Sequence, residues 1–314
     1  MKQQKYKCLH KLIWLVSIAL LLLSFIPNLF PDYWFTDIFS NFKLQYLIAS
    51  VFCLVIVLFL FRRKILASFL LVLSIGFNAY YISPYYFNTE DESIKVEDRL
   101  KMVSINLLSS NTEVDLVQAY ISKENPDLIV LMEFTPQWKR LLHKTISAYH
   151  FNHLEPRNDN FGIAILSKKP IEAKTDYFQL NQKPSIVSQL NFNNKPLTII
   201  ATHPVPPLGE HAFELRNKHM DYLIKNRSKF SDRLVVVGDF NNSSFSTYFQ
   251  ELIETDLKDS RLGFGLLPTW PANISFLQTT LDHILVSENI QVLDRTVGEN
   301  IGSDHLPISV EIGF

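Results

Sequence analysis

LVVVGDFN, residues 234–241, is an apolar run closed by a glycine, a carboxylate and an amide. A run this short and this rich in valine reads as a buried strand. Asp239 and Asn241 therefore stand at its end, where a sheet fixes the direction of the chain and the loop beyond leaves side chains free to converge on a cleft. Two residues apart in extended chain, they point to the same side, one anionic and one an amide. An Asx turn is the competing structural use of the same pair. Two later segments repeat the layout: LDHILVS (281–287) begins with Asp282 and His283 after its leucine, and SDHLPI (303–308) sets Asp304 and His305 ahead of an apolar run. Carboxylates and a histidine at neighbouring strand ends form a set able to hold a divalent cation and to activate water.

Outward from this stretch, residues 99–107 and 128–132 read as strands around a helix at 113–123, an order that implies parallel pairing. A helix near 137–143 follows, then strands at 161–166, 171–178, 186–192 and 197–202, spaced closely enough to pair antiparallel. Helices are expected at 210–226 and 246–253, and further strands at 281–286 and 306–312. The fold class this implies is α/β, with two sheets packed face to face and helices outside, a four-layer sandwich.

With 314 residues and 47% hydrophobic content the chain can bury a large core, yet its apolar residues crowd into the first eighty or so positions. Segments 11–30, 44–61 and 65–82 each approach the roughly 20 apolar residues that cross a bilayer. A cleaved signal peptide accounts for the first of these but not for all three. Lys2, Lys5, Lys7 and Lys11 before the first segment, and Arg62, Arg63 and Lys64 between the second and third, mark cytoplasmic flanks. The intervening loop carries Asp32 and Asp37 against Lys43, with Tyr33 and Trp34 as interfacial aromatics, and suits the opposite side. Three crossings send everything after Ser83 outside.

The chain thus divides into a membrane anchor of three transmembrane helices (1–83), a tether (84–98) and an α/β domain (99–314). The expected location is a bacterial cell membrane, multi-pass, with the domain extracytoplasmic. Tyr80, Tyr81, Tyr85 and Tyr86 read as an aromatic belt at the last crossing. A channel or transporter is disfavoured, because the spans hold no buried ionisable residue to mark a transport path. Both cysteines, Cys8 and Cys53, fall in the anchor, so the outer domain is held by its core alone. Eight of the 30 Lys and Arg precede Ser83, against two of the 31 Asp and Glu, which leaves the remainder at −7. That balance implies no strongly basic face and disfavours tight polynucleotide binding.

Six segments in order resemble the endonuclease/exonuclease/phosphatase superfamily, the DNase I-like fold, over residues 99–314. They are SIN with Asn106, LMEF with Glu133, ATHP with His203, VVGDFN with Asp239 and Asn241, LDHILVS with Asp282, and GSDHLPI with Asp304 and His305. FGIAILSKKP (161–170) and PTWP (268–271) add weaker support. Glu133 ends an apolar strand, where an uncompensated carboxylate is costly and calls for a cation. With Asn106 and Asp304 it forms the expected ligand set for Mg²⁺ or Mn²⁺. The resemblance implies that Asp239 aligns or deprotonates the attacking water and that Asn241 holds the phosphate. It implies equally that His203 contacts the scissile phosphate or protonates the leaving group. His305 suits proton transfer, with Asp282 fixing its tautomer. Asn106, Arg157 and Trp270 are expected against the substrate, although Arg157 also reads as a solvated-loop residue and Trp270 as a core cap. His283 is expected to pack, and His143, His150, His153, His211 and His219 to lie at the surface. Arg216 and Asn217 read either as a basic site element or as a solvated helix face.

The function expected is metal-dependent hydrolysis of phosphodiester bonds, nuclease-like, outside the membrane. The partners expected are a phosphate-ester substrate, nucleic acid or phospholipid, and the membrane, with no protein partner. Rival readings are a phospholipid or sphingomyelin-type phosphodiesterase and a non-catalytic membrane-anchored binding module, since a fold does not settle its substrate.

Overall fold

The computed structural model describes residues 2–60, 65–87, 96–178, 180, 183–192 and 195–314, with the backbone alone for 2–8 and 60. Arg62, Arg63 and Lys64, most of the expected tether, and the side chains of Lys2, Lys5, Lys7 and Cys8 lie outside the described residues.

Three long helices lead the chain: α1 (Lys2–Leu29), then, after the short α2 (Trp34–Asp37) and a 3₁₀ turn at Ile38–Phe42, α3 (Lys43–Leu60) and α4 (Ile65–Ile82). The segments Leu9–Leu29, Trp34–Phe59 and Ile65–Ile82 are long and apolar enough to cross a membrane. Lipid tails give apolar helices no hydrophobic reason to associate, so polar contacts matter inside such a bundle. Ser24 Oγ and Ser50 Oγ each lie 2.9 Å from Ser74 Oγ, and Asn78 Nδ2 donates to Ser24 Oγ at 2.8 Å. Lys43, counted with the interhelical loop in the sequence, is buried at the head of α3, one residue before the expected second span. Its ammonium donates to Asn28 Oδ1 at 2.8 Å and lies 4.6 and 4.4 Å from the ring centroids of Phe77 and Tyr81. The single turn α5 (Pro84–Phe87) then leaves the bundle.

The described strands of the following domain are β1 (Arg99–Asn106), β2 (Leu128–Met132), β3 (Phe151–Glu155), β4 (Ile163–Ser167), β5 (Glu172–Asp176) and β6 (Ser185–Phe192). They continue with β7 (Lys195–Ala201), β8 (Arg233–Asp239), β9 (Leu257–Asp259), β10 (Asp282–Ser287), β11 (Gln291–Val297) and β12 (Ile308–Gly313). The helices are α6 (Val114–Glu124), α7 (Pro136–Leu141), α8 (His143–Ala148), α9 (Glu210–Lys225) and α10 (Thr247–Ile253). One sheet runs β11-β12-β1-β2-β4-β3 and the other β5-β6-β7-β8-β10-β9. Met102, Val130 and Ile165 meet Ile199, Val235 and Ile284 between the sheets. On the outer faces, Val117, Tyr120 and Trp138 pack on the first sheet, and Met220, Leu223 and Phe249 on the second. The expected four-layer α/β sandwich is the observed architecture.

Strands β3, β9 and β11 were not legible in advance, and β5 is shorter than the expected 171–178. It ends because Phe178 takes a left-handed conformation (φ 50°) and donates its N–H to Asp176 Oδ1 at 2.8 Å.

What positions a site is the pairing. β1 runs parallel to β2, and β7 parallel to β8, so four strands deliver their C-terminal ends to one edge of the sandwich. β10 pairs antiparallel with β8 in a register that sets Asp282 opposite Asp239. Gly238 allows the close approach next to them. It lies at φ 149°, and a Cβ there would sit 1.9 Å from the Thr202 carbonyl oxygen. Because both atoms are tied to backbone, Gly238→Ala is expected to destabilise the full-length protein by about 3 kcal/mol. Thermal unfolding measures this, and an unchanged midpoint would contradict the close approach.

Candidate active site

Asn106 is the last residue of β1, Glu133 follows β2, His203 follows β7, Asp239 ends β8, Asp282 opens β10, and Asp304 and His305 precede β12. Glu133 (φ 52°) and Asn241 (φ 48°) adopt the left-handed conformation, which costs a non-glycine residue about 1–3 kcal/mol and recurs where a site dictates the backbone.

Asp239 is the centre of the cluster. Its Oδ2 accepts from Asn106 Nδ2 at 3.1 Å and lies 3.3 Å from His203 Nε2 and 3.6 Å from His305 Nε2. Its Oδ1 accepts from the Asn241 N–H at 2.9 Å, while Asn241 Nδ2 donates to the Pro204 carbonyl at 3.0 Å. The extended chain expected for this pair is therefore replaced by an Asx turn, although both residues line the same cleft. Burial opposes ionisation of Asp239, but His305, His203 and the Asn241 N–H outweigh it and hold the carboxyl below its ordinary range. His305 Nδ1 lies 2.8 Å from Asp282 Oδ2, which also accepts from Thr269 Oγ1 at 2.5 Å. Burial disfavours the imidazolium, yet Asp282 and Asp239 push His305 up to about 10.

Asp239, Asp282 and His305 present donor atoms within 4.8 Å of one another, the spacing of a metal site. Within the trio, Asp282 Oδ2 is engaged by both His305 Nδ1 and Thr269 Oγ1, while His305 Nε2 stands 3.6 Å from Asp239 Oδ2. The expected ligands Glu133 and Asp304 lie in the lining of the same cleft. Glu133 is buried and accepts from the Ser109 N–H at 2.8 Å. Asp304 accepts from Trp270 Nε1 at 3.3 Å through Oδ2, and its Oδ1 is buried without a hydrogen-bond partner. Two carboxylates with spare oxygen lone pairs suit a hard divalent ion. Asn106 is more committed, with Oδ1 accepting from the Leu108 N–H at 3.0 Å and Nδ2 given to Asp239.

These groups open on a cleft of about 700 Å³ whose lining includes Glu133, His203, Asp239, Asn241, Trp270, Asp304 and His305. Trp270 is thus a wall residue with 37% of its surface exposed, not a core cap. Arg157 is not among the lining residues. Its guanidinium is held by Asp159 at 2.9 and 2.8 Å, and Asp159 is the member of that pair that reaches the cleft.

Sequence reasoning missed a second set of residues. Ile38, Asn41 and Phe42, from the turn between the first two long helices, form part of the same wall. Nearby, Asp37 Oδ2 and Arg216 Nη1 form a 2.9 Å ion pair, with both side chains buried. Arg216 also donates to the Asn241 carbonyl at 3.3 Å and, through Nε and Nη2, to Asn217 Oδ1 at 3.0 and 2.7 Å. Arg216 and Asn217 are therefore interior groups, not a solvated helix face. Tyr85 is likewise buried, with its hydroxyl 3.3 Å from Asp259 Oδ2, whereas Tyr80 and Tyr86 are exposed.

His219, expected at the surface, is buried against Thr202 Oγ1 at 2.6 Å, and burial pushes it down to about 3. His283 packs as expected. It lies 2.9 Å from Arg261 Nη2 and donates to the Asn242 carbonyl at 2.8 Å; burial, then Arg261, push it down to about 3.

A DNase I-like sandwich with a carboxylate and histidine cluster at its gathered strand ends defines the class. Residues 103–305 match the model of the Endonuclease/Exonuclease/phosphatase family, and the chain belongs to that family. Among solved structures it is similar to D. rerio TDP2 complexed with single strand DNA product, at 16% identity and a TM-score of 0.58 over 69% of this chain and 100% of that one. It is similar also to an endonuclease/exonuclease/phosphatase family protein from Leptotrichia buccalis, at 17% identity and 0.56 over 68% of this chain and 100% of that one. A functionally unknown conserved protein from Enterococcus faecalis shares 20% identity and a TM-score of 0.53 over 68% of this chain and all of the other. At these identities the likeness is one of fold. No curated protein matches the chain.

Two outcomes follow from the buried charges. Asp37→Leu strands the Arg216 guanidinium and should cost about 3–5 kcal/mol, whereas Asp37→Leu combined with Arg216→Met should recover most of that loss, as chemical denaturation of the full-length protein would report. His219 and His283 stay neutral in the folded state at pH values where unfolded histidines take up a proton. Stability should therefore fall as pH drops from about 6.5 toward 3, by roughly 1.4 kcal/mol per pH unit for each histidine. His219→Gln should flatten that slope when unfolding is compared at pH 7.5 and pH 5.

Proposed function

We propose that the chain is a metal-dependent phosphodiester hydrolase, nuclease-like in chemistry, acting by in-line attack of water on phosphorus. The observation that carries this reading is the convergence of Asn106, His203 and His305 on Asp239 Oδ2, in a cleft that Glu133 and Asp304 also line. Glu133 and Asp304, assisted by Asn106 Oδ1, are the residues to hold Mg²⁺ or Mn²⁺, which when bound supplies positive charge to the phosphate oxygens.

Asp239, kept ionised by its neighbours, orients the attacking water and takes its proton as the new P–O bond forms. His305, held by Asp282, donates to a phosphoryl oxygen, and His203 gives a proton to the leaving oxygen as the old P–O bond breaks. Asn241 contacts the phosphate from the far side of the Asx turn. Oriented proton transfer of this kind contributes about 10²–10⁴-fold in rate.

In the same reading the three long helices cross the membrane and the domain is extracytoplasmic. The ion pair from Asp37 to Arg216 supports this, because it requires the first interhelical turn and the domain to share a side, opposite the basic flanks.

Full-length protein in detergent, given bis(p-nitrophenyl) phosphate with Mg²⁺ or Mn²⁺, should release p-nitrophenol and stop on addition of a chelator. Asp239→Asn should lower kcat by about 10³-fold. Glu133→Gln should raise the metal concentration for half-maximal rate at least about tenfold, with recovery at high metal. Folded protein inactive with every divalent ion tried would favour a non-catalytic binding module.

A further inference from the structure

The cleft wall supplied by Ile38, Asn41 and Phe42 does not come from the α/β domain. It belongs to the stretch Trp34–Phe59, which is apolar enough to cross a membrane. The remaining upper walls are also apolar, with Phe161, Leu208 and Trp270 among them. Leu208, 81% exposed, shares this lining with Phe42, Phe161 and Trp270, and apolar surface gathered in one groove, unlike singly scattered residues, marks an interaction site.

A second link joins the cleft to the same helix. Trp270 and Thr279 both line the cleft and form an isolated β-bridge, and the chain between them loops out to Phe276, which is 74% exposed. That loop is held by Gln45, near the head of α3, whose Nε2 donates to the carbonyls of Phe276 and Gln278 at 3.3 and 3.1 Å. The mouth is thus tied to the point where the second long helix enters its apolar stretch, and exposed apolar side chains stand there.

Charge argues in the same direction. Among the described residues lining the cleft there is no lysine or arginine, while Glu133, Asp159, Asp239 and Asp304 are all present. The nearby cations Arg157 and Lys183 both face Asp159, at 2.8 and 3.6 Å. A nucleic acid strand carries a phosphate at every step and draws its affinity from a basic track, which this cleft lacks. A molecule with a single phosphodiester and an apolar arm matches both the acidic floor and the apolar walls.

We propose that the substrate is a membrane lipid phosphodiester, held with its phosphate at Asp239 and its apolar arm along the Phe42 and Leu208 walls toward the bilayer. This rests on the hydrolase reading above and names its substrate class. Water attacks phosphorus, the ester bond to one arm breaks, the proton of the water passes to Asp239 and the departing oxygen is protonated, giving a phosphomonoester and an alcohol.

The test uses full-length protein in detergent micelles with three substrates at matched phosphate: bis(p-nitrophenyl) phosphate, a single-stranded DNA oligonucleotide, and mixed micelles of phosphatidylglycerol and phosphatidylethanolamine. The expected result is kcat/KM for the lipids at least about 100-fold above that for the small diester, with DNA the poorest substrate. Leu208→Glu, on an exposed side chain that folding does not need, and Phe42→Ser should each lower the lipid-to-small-diester ratio at least about tenfold. Turnover of the small diester with no lipid preference, preference for DNA, or an unchanged ratio in both variants would overturn the lipid assignment while leaving the hydrolase reading intact. Inactivity toward all three would overturn the hydrolase reading itself, and the lipid assignment with it.

Discussion

A carboxylate buried at the end of a central strand has to be compensated, and the compensation of Asp239 organises much of this molecule. Removing an anion from water without partners costs several kcal/mol. Here the partners arrive from four other strand ends: the Asn106 amide from β1, His203 from β7, His305 from the loop before β12, and Asp282 of β10 acting through His305. Only a sandwich whose two parallel pairs end on the same edge can bring those groups together. The register of β8 against β10 and the missing side chain at Gly238 are the local conditions for it.

The same edge faces the helical bundle, and the seam between them joins an apolar cluster of Ile82, Tyr85, Phe245 and Leu266 to a set of polar contacts. The Asp37 and Arg216 pair, the Tyr85 hydroxyl beside Asp259, the Tyr248 hydroxyl on Asp32 and the Ser243 hydroxyl on the Ser40 carbonyl all cross it. Buried charged contacts of this kind add little net stability over apolar packing, but each tolerates only a narrow range of geometry. Their value lies in alignment. Arg216 binds both Asp37 and the carbonyl of Asn241, so the bundle helps hold a residue of the site. Within the bundle, Ser24, Ser50, Ser74 and Asn78 fix the helices relative to one another, and Lys43 closes the end nearest the seam.

Much of the domain could be read from residue order because its central strands carry continuous apolar runs: β2, β4 and β10 are buried along their whole length, and β8 at every residue after Arg233. The strands that escaped are edges or near-edges. β3 (FNHLE) has no buried residue, β9 has three residues, and β11 (QVLDRTV) buries only Val292 and Arg295. The site residues were legible because a carboxylate or histidine at the end of an apolar run has few structural reasons to be there. The Asx turn at Asp239 was not, since the same two residues serve an extended chain equally well until the backbone at Asn241 is known. His219 was misplaced at the surface, and Arg216 stayed open between two readings, for a related reason, as a polar residue on an amphipathic helix gives no sign of whether a partner waits beneath it. The contribution of Ile38, Asn41 and Phe42 has no sequence signature at all, because contact between segments so far apart leaves no periodicity.

That last contribution separates two properties along the chain. The groups clustered around Asp239 lie between Asn106 and His305, while part of the wall of the same cleft lies in a short turn near the start of the chain. Substitutions at Ile38, Asn41 or Phe42 can reshape the cleft without touching the groups that surround Asp239. Because Asp37, next to that turn, also pairs with Arg216 and through it braces Asn241, the sandwich is not independent of its anchor: an unrelated helical part would have to supply both the missing wall and a partner for a buried guanidinium.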